Sequence, residues 1–140
     1  AATIIRFTRD LEDRSAAFYV GLAQRFPKQS EFFARCAEEC GKHQEQIVRT
    51  YQETVTDALE TGYSFAGLRL PEYAQGLALA PGATLAEAVA AARQLEATAI
   101  AFYTAVAEAA ESLLATIPRT YTRVAKRRQR RHDELGELVT

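Results

Sequence analysis

Two carboxylates and two imidazoles carry whatever chemistry this sequence holds. The chain of 140 residues contains only two His and two Cys. Glu12 and Glu96 lie at matching points of a repeat: Leu11-Glu12 is followed by Phe18-Tyr19, and Leu95-Glu96 by Phe102-Tyr103, with identical internal spacing. Leu22-Ala23 and Val106-Ala107 continue in step. A weaker match joins Cys36, Cys40, His43 and Glu45 to Ala125, Gln129, His132 and Glu134. In that register both histidines take one position of two equivalent segments, each three residues after a polar or thiol side chain. Carboxylate and imidazole side chains on inward faces serve either as divalent-metal ligands or as buried ion pairs.

The elements that position these residues read as four helices. Alanine is dense from Ala83 to Ala110, and it favours helix over strand. The prolines at 27, 71, 81 and 118 punctuate periodic segments instead of interrupting them. Segment one, 3–26, carries Ile5, Thr8, Glu12, Ser15, Tyr19 and Leu22 on one stripe, spaced three or four apart. Segment two, 30–59, carries Phe33, Cys36, Cys40, His43, Ile47 and Tyr51. Segment three opens with Thr84-x-x-Glu87, a capping-box pattern, and carries Leu85, Val89, Ala92, Glu96, Ala99, Tyr103 and Val106 to an end near 114. Segment four starts near Pro118, and its stripe reads Ala125, Gln129, His132, Gly136 and Val139.

The joins between segments one and two and between three and four are short, so each pair forms antiparallel neighbours. The connection over 61–83 contains Tyr63, Phe65, Leu68, Leu70, Tyr73, Leu77 and Leu79 and is expected to pack on the body while running its length. The expectation is one all-α domain over 1–140, a four-helix bundle with a single long crossover between its second and third helices.

On these residues the chain resembles the ferritin-like superfamily, and the rubrerythrin branch in particular. In that family each half of the bundle supplies one Glu from its first helix and Glu-x-x-His from its second, and the six side chains hold two iron ions. The resemblance implies Glu12, His43, Glu96 and His132 as four of the six metal ligands. It places Cys40 and Gln129 where the other two carboxylates belong. Tyr19 and Tyr103, seven residues after each Glu on the same face, read either as hydrogen-bonding supports of the ligand carboxylates or as core aromatics with their hydroxyls satisfied elsewhere. It also implies an oxidoreductase or peroxidase activity at bound iron. The replacement of both bridging carboxylates predicts that such activity is weak or absent.

Charge favours one ion over two. Two divalent ions bring four positive charges against two from Glu12 and Glu96, or three if Cys40 is a thiolate. A dry core with net positive charge is costly. The expectation is one divalent ion, or a weakly occupied pair, of iron or zinc, with Cys40 as a soft ligand favouring zinc. Three readings stay beside it. Glu12, Glu96, His43 and His132 could pair as ions with no metal. Arg128, next to the inward stripe, could take the place of a cation, leaving a structural or interaction bundle that has lost its site. Glu39 could stand in for the missing carboxylate, although a solvated position suits it better, and Cys36 reads as plain core.

Composition bounds the partners. Lys plus Arg is 17 and Asp plus Glu is 18, giving a formal charge of −1, too balanced for a general nucleic-acid binder. Arg119, Arg123, Lys126, Arg127, Arg128, Arg130 and Arg131 form a basic strip in segment four with no acid among them. It reads as a solvated face pairing with Glu38, Glu45 and Glu53, or as a strip for an anion or partner. No apolar run is long enough to span a membrane, and no segment reads as a secretory leader. A cytoplasmic protein of a reducing compartment is the resulting expectation; the Ala-rich outer face of segment three permits close helix packing, and the resemblance implies a homodimer.

Overall fold

The computed structural model describes residues 2–54, 73, 79–110 and 116–139. Among them lie four α-helices and no strand: α1 (Ala2–Arg25), α2 (Ser30–Thr54), α3 (Leu85–Ala110) and α4 (Thr116–Glu137). Each begins and ends for local reasons. Pro27 follows the end of α1 and opens a single 3₁₀ turn, Pro27–Gln29, which feeds straight into α2. The capping box at the start of α3 is formed in full: the Thr84 N–H donates to Glu87 Oε1 (3.0 Å), and the Glu87 N–H donates to Thr84 Oγ1 (3.1 Å). Pro118 sits in the first turn of α4, where its missing N–H has no helical partner to lose.

Contacts between the helices fix their directions. Phe33 of α2 meets Tyr19 and Phe26, while Gln44 further along reaches back to Arg9 and Asp13, so α1 and α2 are antiparallel. Glu96 meets Arg128 and Tyr103 meets Tyr121, so α3 and α4 are antiparallel as well. The hairpins face each other through Tyr19 with Glu96 and Tyr103 with Glu12, and through Cys40 with Arg131 and Thr50 with Thr120. Every adjacent pair is therefore antiparallel, and α2 and α3 run the same way on opposite corners. The chain between them must travel the length of the bundle. A 25-residue helix such as α2 is about 37 Å long. Most of the 61–83 crossover, and the expected ends of segment two beyond 54 and of segment three over 111–114, lie outside the described residues. Of that connection, Tyr73 packs edge-on to Phe102 (5.7 Å between ring centres), and Leu79 packs against the core.

The core has an apolar layer on each side of a polar centre. Towards one end Tyr19, Leu22, Phe26 and Phe33 cluster; towards the other Phe7, Phe102, Tyr103 and Tyr121 do. Between them lie Glu12, Ser15, Cys40, His43, Glu96, Arg128 and Arg131, all buried.

The inward stripe of α4 differs from the one expected. Tyr121, Val124, Ala125, Arg128, Arg131 and Leu135 face in, whereas Gln129 and Val139 are exposed and His132 and Gly136 are only partly covered. The helix is turned by about one residue. This orientation buries Tyr121, Val124 and Leu135 in place of Thr122, Gly136 and Val139, which removes more apolar area from water. It also carries two guanidinium groups to the two buried carboxylates.

A candidate functional site built on two carboxylates and two arginines

α1 and α3 bring Glu12 and Glu96 to the middle of the bundle, where both are essentially inaccessible to solvent. The repeat that marked them acts reciprocally. The Tyr19 hydroxyl of α1 donates to Glu96 Oε2 of α3, and the Tyr103 hydroxyl of α3 donates to Glu12 Oε2 of α1. Each tyrosine thus serves the other helix's carboxylate.

Arg128 of α4 lies between the two carboxylates with 0% exposure. Its Nη1 donates to Glu96 Oε1 at 2.8 Å. Its Nη2 donates to both oxygens of Glu12, at 2.8 and 2.9 Å, and to Ser15 Oγ at 3.3 Å. These are short, charge-assisted bonds of the strong class. Arg131, one turn on, places Nη1 3.7 Å from Glu96 Oε2 and from Cys40 Sγ, and its Nη2 3.3 Å from Glu39 Oε1. The guanidinium carbon of Arg128 lies 5.9 Å from the Tyr103 ring centre and that of Arg131 lies 5.6 Å from that of Tyr19, a cation–π arrangement repeated in both halves. Two buried carboxylates and two buried guanidinium groups balance in charge.

The titration behaviour follows. Burial alone would raise the Glu12 carboxyl, but the Arg128 charge, with His43 and the Tyr103 hydroxyl, outweighs it and holds the carboxyl at about 2 against an ordinary 4.5. Burial works against the charged form of Arg128, and the adjacent Glu12 and Glu96 overcome it, so the guanidinium is held more firmly protonated than usual. Burial and the nearby Glu12 push the Cys40 thiol well above its normal range, against the lowering pull of Arg128 and Arg131. Cys36 is raised to about 12, first by burial. Both thiols are protonated at neutral pH, so Cys40 adds no negative charge.

The sequence-derived residues separate into two sets. Glu12, Glu96, Cys40 and His43 converge, with Tyr19 and Tyr103 supporting the carboxylates. His43 is buried with Nδ1 3.5 Å from Glu12 Oε1, and that nitrogen makes no hydrogen bond of good geometry. His132 and Gln129 do not join them. His132 is a quarter exposed, and Nδ1 lies 3.5 Å from both Arg93 and Asp133. Gln129 is exposed and donates to Asp133 Oδ1 at 3.2 Å. Among the described residues, no three His, Cys, Asp or Glu side chains are arranged to hold a metal ion.

Arg131 is the site residue that the sequence pattern missed, and a signal for it exists. Aligning the halves on their histidines pairs Phe33 with Thr122 and Ile47 with Gly136. Shifting by one residue pairs Phe33 with Tyr121, Cys36 with Val124, Cys40 with Arg128, His43 with Arg131 and Ile47 with Leu135. The apolar agreement of the second register is the better guide, and it is the register the bundle adopts.

The basic strip also divides. Arg128 and Arg131 turn inward. Arg127 donates to Gln46 Oε1 at 3.1 Å. Among the described residues, Arg119, Arg123, Lys126, Arg127 and Arg130 form no ion pair within 4 Å with Glu38 or Glu45. The Glu53 side chain lies outside what is described.

No family model, curated protein or solved structure matches the chain.

Proposed function

We propose that this chain is a ferritin-like bundle of the rubrerythrin kind in which an arginine has taken the place of the metal centre, and that it acts as a non-catalytic structural or interaction module. The observation that carries this reading is Arg128, whose guanidinium bonds both carboxylates at 2.8 Å. The helix directions, the long connection between parallel helices, and the paired Glu–Tyr positions support the ferritin-like part.

The residues present do not suit a two-ion centre. The space between Glu12 and Glu96 is filled by a side chain that carries positive charge and offers only donors, so it cannot ligate a cation. The two carboxylates are already neutralised by Arg128 and Arg131. Cys40 is a neutral thiol, and neither His132 nor Gln129 reaches the carboxylates. No redox or acid–base step is assigned to the cluster: Glu12 is locked in its ionised form, and Arg128 in its protonated form.

The test is elemental analysis of protein purified without added metal, paired with thermal melts in chelator and in added Fe(II) or Zn(II). Metal well below one ion per chain, with an unchanged melting temperature, is expected. A stoichiometric ion whose removal lowers the melting temperature overturns the reading in favour of a modified metal centre.

A further inference from the structure

Between α2 and α4, on the outer side of the buried cluster, lies a cleft of about 580 Å³. Its walls carry four cations, Arg35 and Lys42 from α2 and Arg127 and Arg130 from α4. His43 lies at its buried floor, beside Cys36. Three carboxylates also line it, and they offset the cations incompletely. Glu39 faces Arg131 at 3.3 Å, and Glu38 and Glu134 make no ion pair with the four cations among the described residues. Arg127 is held in place by Gln46, so part of the cationic wall is preorganised. Arg35 lies over the Phe32 ring at 5.8 Å, which gives one end of the cleft a flat, partly apolar wall.

Guanidinium groups that are fixed in direction and lack an acid partner are the usual means of gripping a multi-oxygen anion, because their paired N–H donors match two oxygens at once. The concave shape lets cations from α2 and α4 approach one ligand from two sides. We propose that this cleft binds a small, multiply charged anion bearing phosphate or carboxylate groups, with Arg127 and Arg130 as its principal partners, Lys42 and Arg35 closing the opposite wall, and the His43 ring at the inner end. The cleft meets the Arg128 cluster at His43, but anion binding there does not depend on how that cluster arose.

The full chain is titrated with pyrophosphate and, separately, with citrate at constant ionic strength near physiological, followed by calorimetry and by NMR of the histidine rings. Saturable one-to-one binding of one probe is expected, with the His43 ring signals moving and those of His132 unmoved. R127A/R130A should weaken binding by about tenfold or more, the scale of losing a charge-assisted contact. R119A/R123A removes the same charge from α4 outside the cleft and should leave binding unchanged. All four positions are partly or fully exposed, and a melt confirms that both variants fold. The probe that binds identifies the anion class as phosphate or carboxylate. Failure of both probes to saturate, or equal weakening in the two double variants, overturns the proposal, the latter assigning the attraction to diffuse charge.

Discussion

The two hairpins of the bundle agree in their first helices and part company in their second. α1 and α3 each present a buried Glu and, two turns on, a Tyr that serves the opposite carboxylate. α2 presents Cys40 and His43 to this centre, while α4 presents Arg128 and Arg131 from the equivalent positions. One half offers neutral or weakly basic groups and the other offers permanent cations. The anionic half of the site is present in duplicate, and the guanidinium groups that face it come from one helix alone. A buried pair of carboxylates is thus neutralised here by guanidinium groups.

Making the halves alike is the strongest way to break this comparison. C40E, R128E and R131H together remove two buried cations and add two carboxylates, giving each second helix Glu-x-x-His beside Glu12 or Glu96. The metal-free triple variant should fail to fold cooperatively, because four clustered carboxylates cannot all ionise in a dry core. Added Fe(II) or Zn(II) should restore a cooperative melt. Recovery without metal would show that the centre is not built as described.

Next in size is R128A, which leaves Glu12 and Glu96 short of their main partner. A loss of about 3–5 kcal/mol is expected by denaturant unfolding. R131A, whose partner Glu39 is partly exposed, should cost clearly less. Equal losses would mean that the two arginines share the load evenly.

Acid should find the same weakness. The folded Glu12 carboxyl titrates at about 2 against an ordinary 4.5. A depressed carboxyl stabilises the fold above its unfolded value, and that contribution is lost as pH falls from about 4.5 towards about 2. Its size is of order 3 kcal/mol. Stability measured across this window should fall steeply in the parent and much less in E12Q.

Y19F and Y103F probe the part of the comparison in which the halves agree. Each removes a hydrogen bond to a charged acceptor and should cost about 1.5–3 kcal/mol. The two losses should be similar, and a large disparity would mark the symmetry as superficial. The smallest effect belongs to H132A, expected within about 0.5 kcal/mol because the ring is partly exposed and bonded only weakly. H43A, at a buried position, should cost more.

The pattern of the sequence reached further in the first helices than in the last. Glu12, Tyr19, Glu96 and Tyr103 were legible because long apolar runs with strict three-and-four spacing leave one choice of inward face. The capping box at Thr84 was legible because it is local. α4 was harder for a physical reason. Arginine has a long apolar stem and a charged end, so it can lie in a core once carboxylates are waiting there. A periodicity reading that scores Arg as outward then follows His132 and Gln129 instead, one residue away. The apolar match of Phe33 with Tyr121 and of Ile47 with Leu135 points to the other face, but the identity of the cation opposing Glu12 and Glu96 is a property of packing.

The crossed tyrosine–glutamate pairs have a consequence for how the hairpins find each other. Helical surfaces rich in alanine are smooth and permit sliding. A displacement of one hairpin against the other by one turn, about 5.4 Å, would withdraw both hydroxyls and the Arg128 bonds to Glu12 at once and maroon the ionised Glu12 in a dry interior. The cluster works as a vernier mark: it has a single coincidence position, and every misaligned docking is rejected by electrostatics before side-chain shape has to judge it.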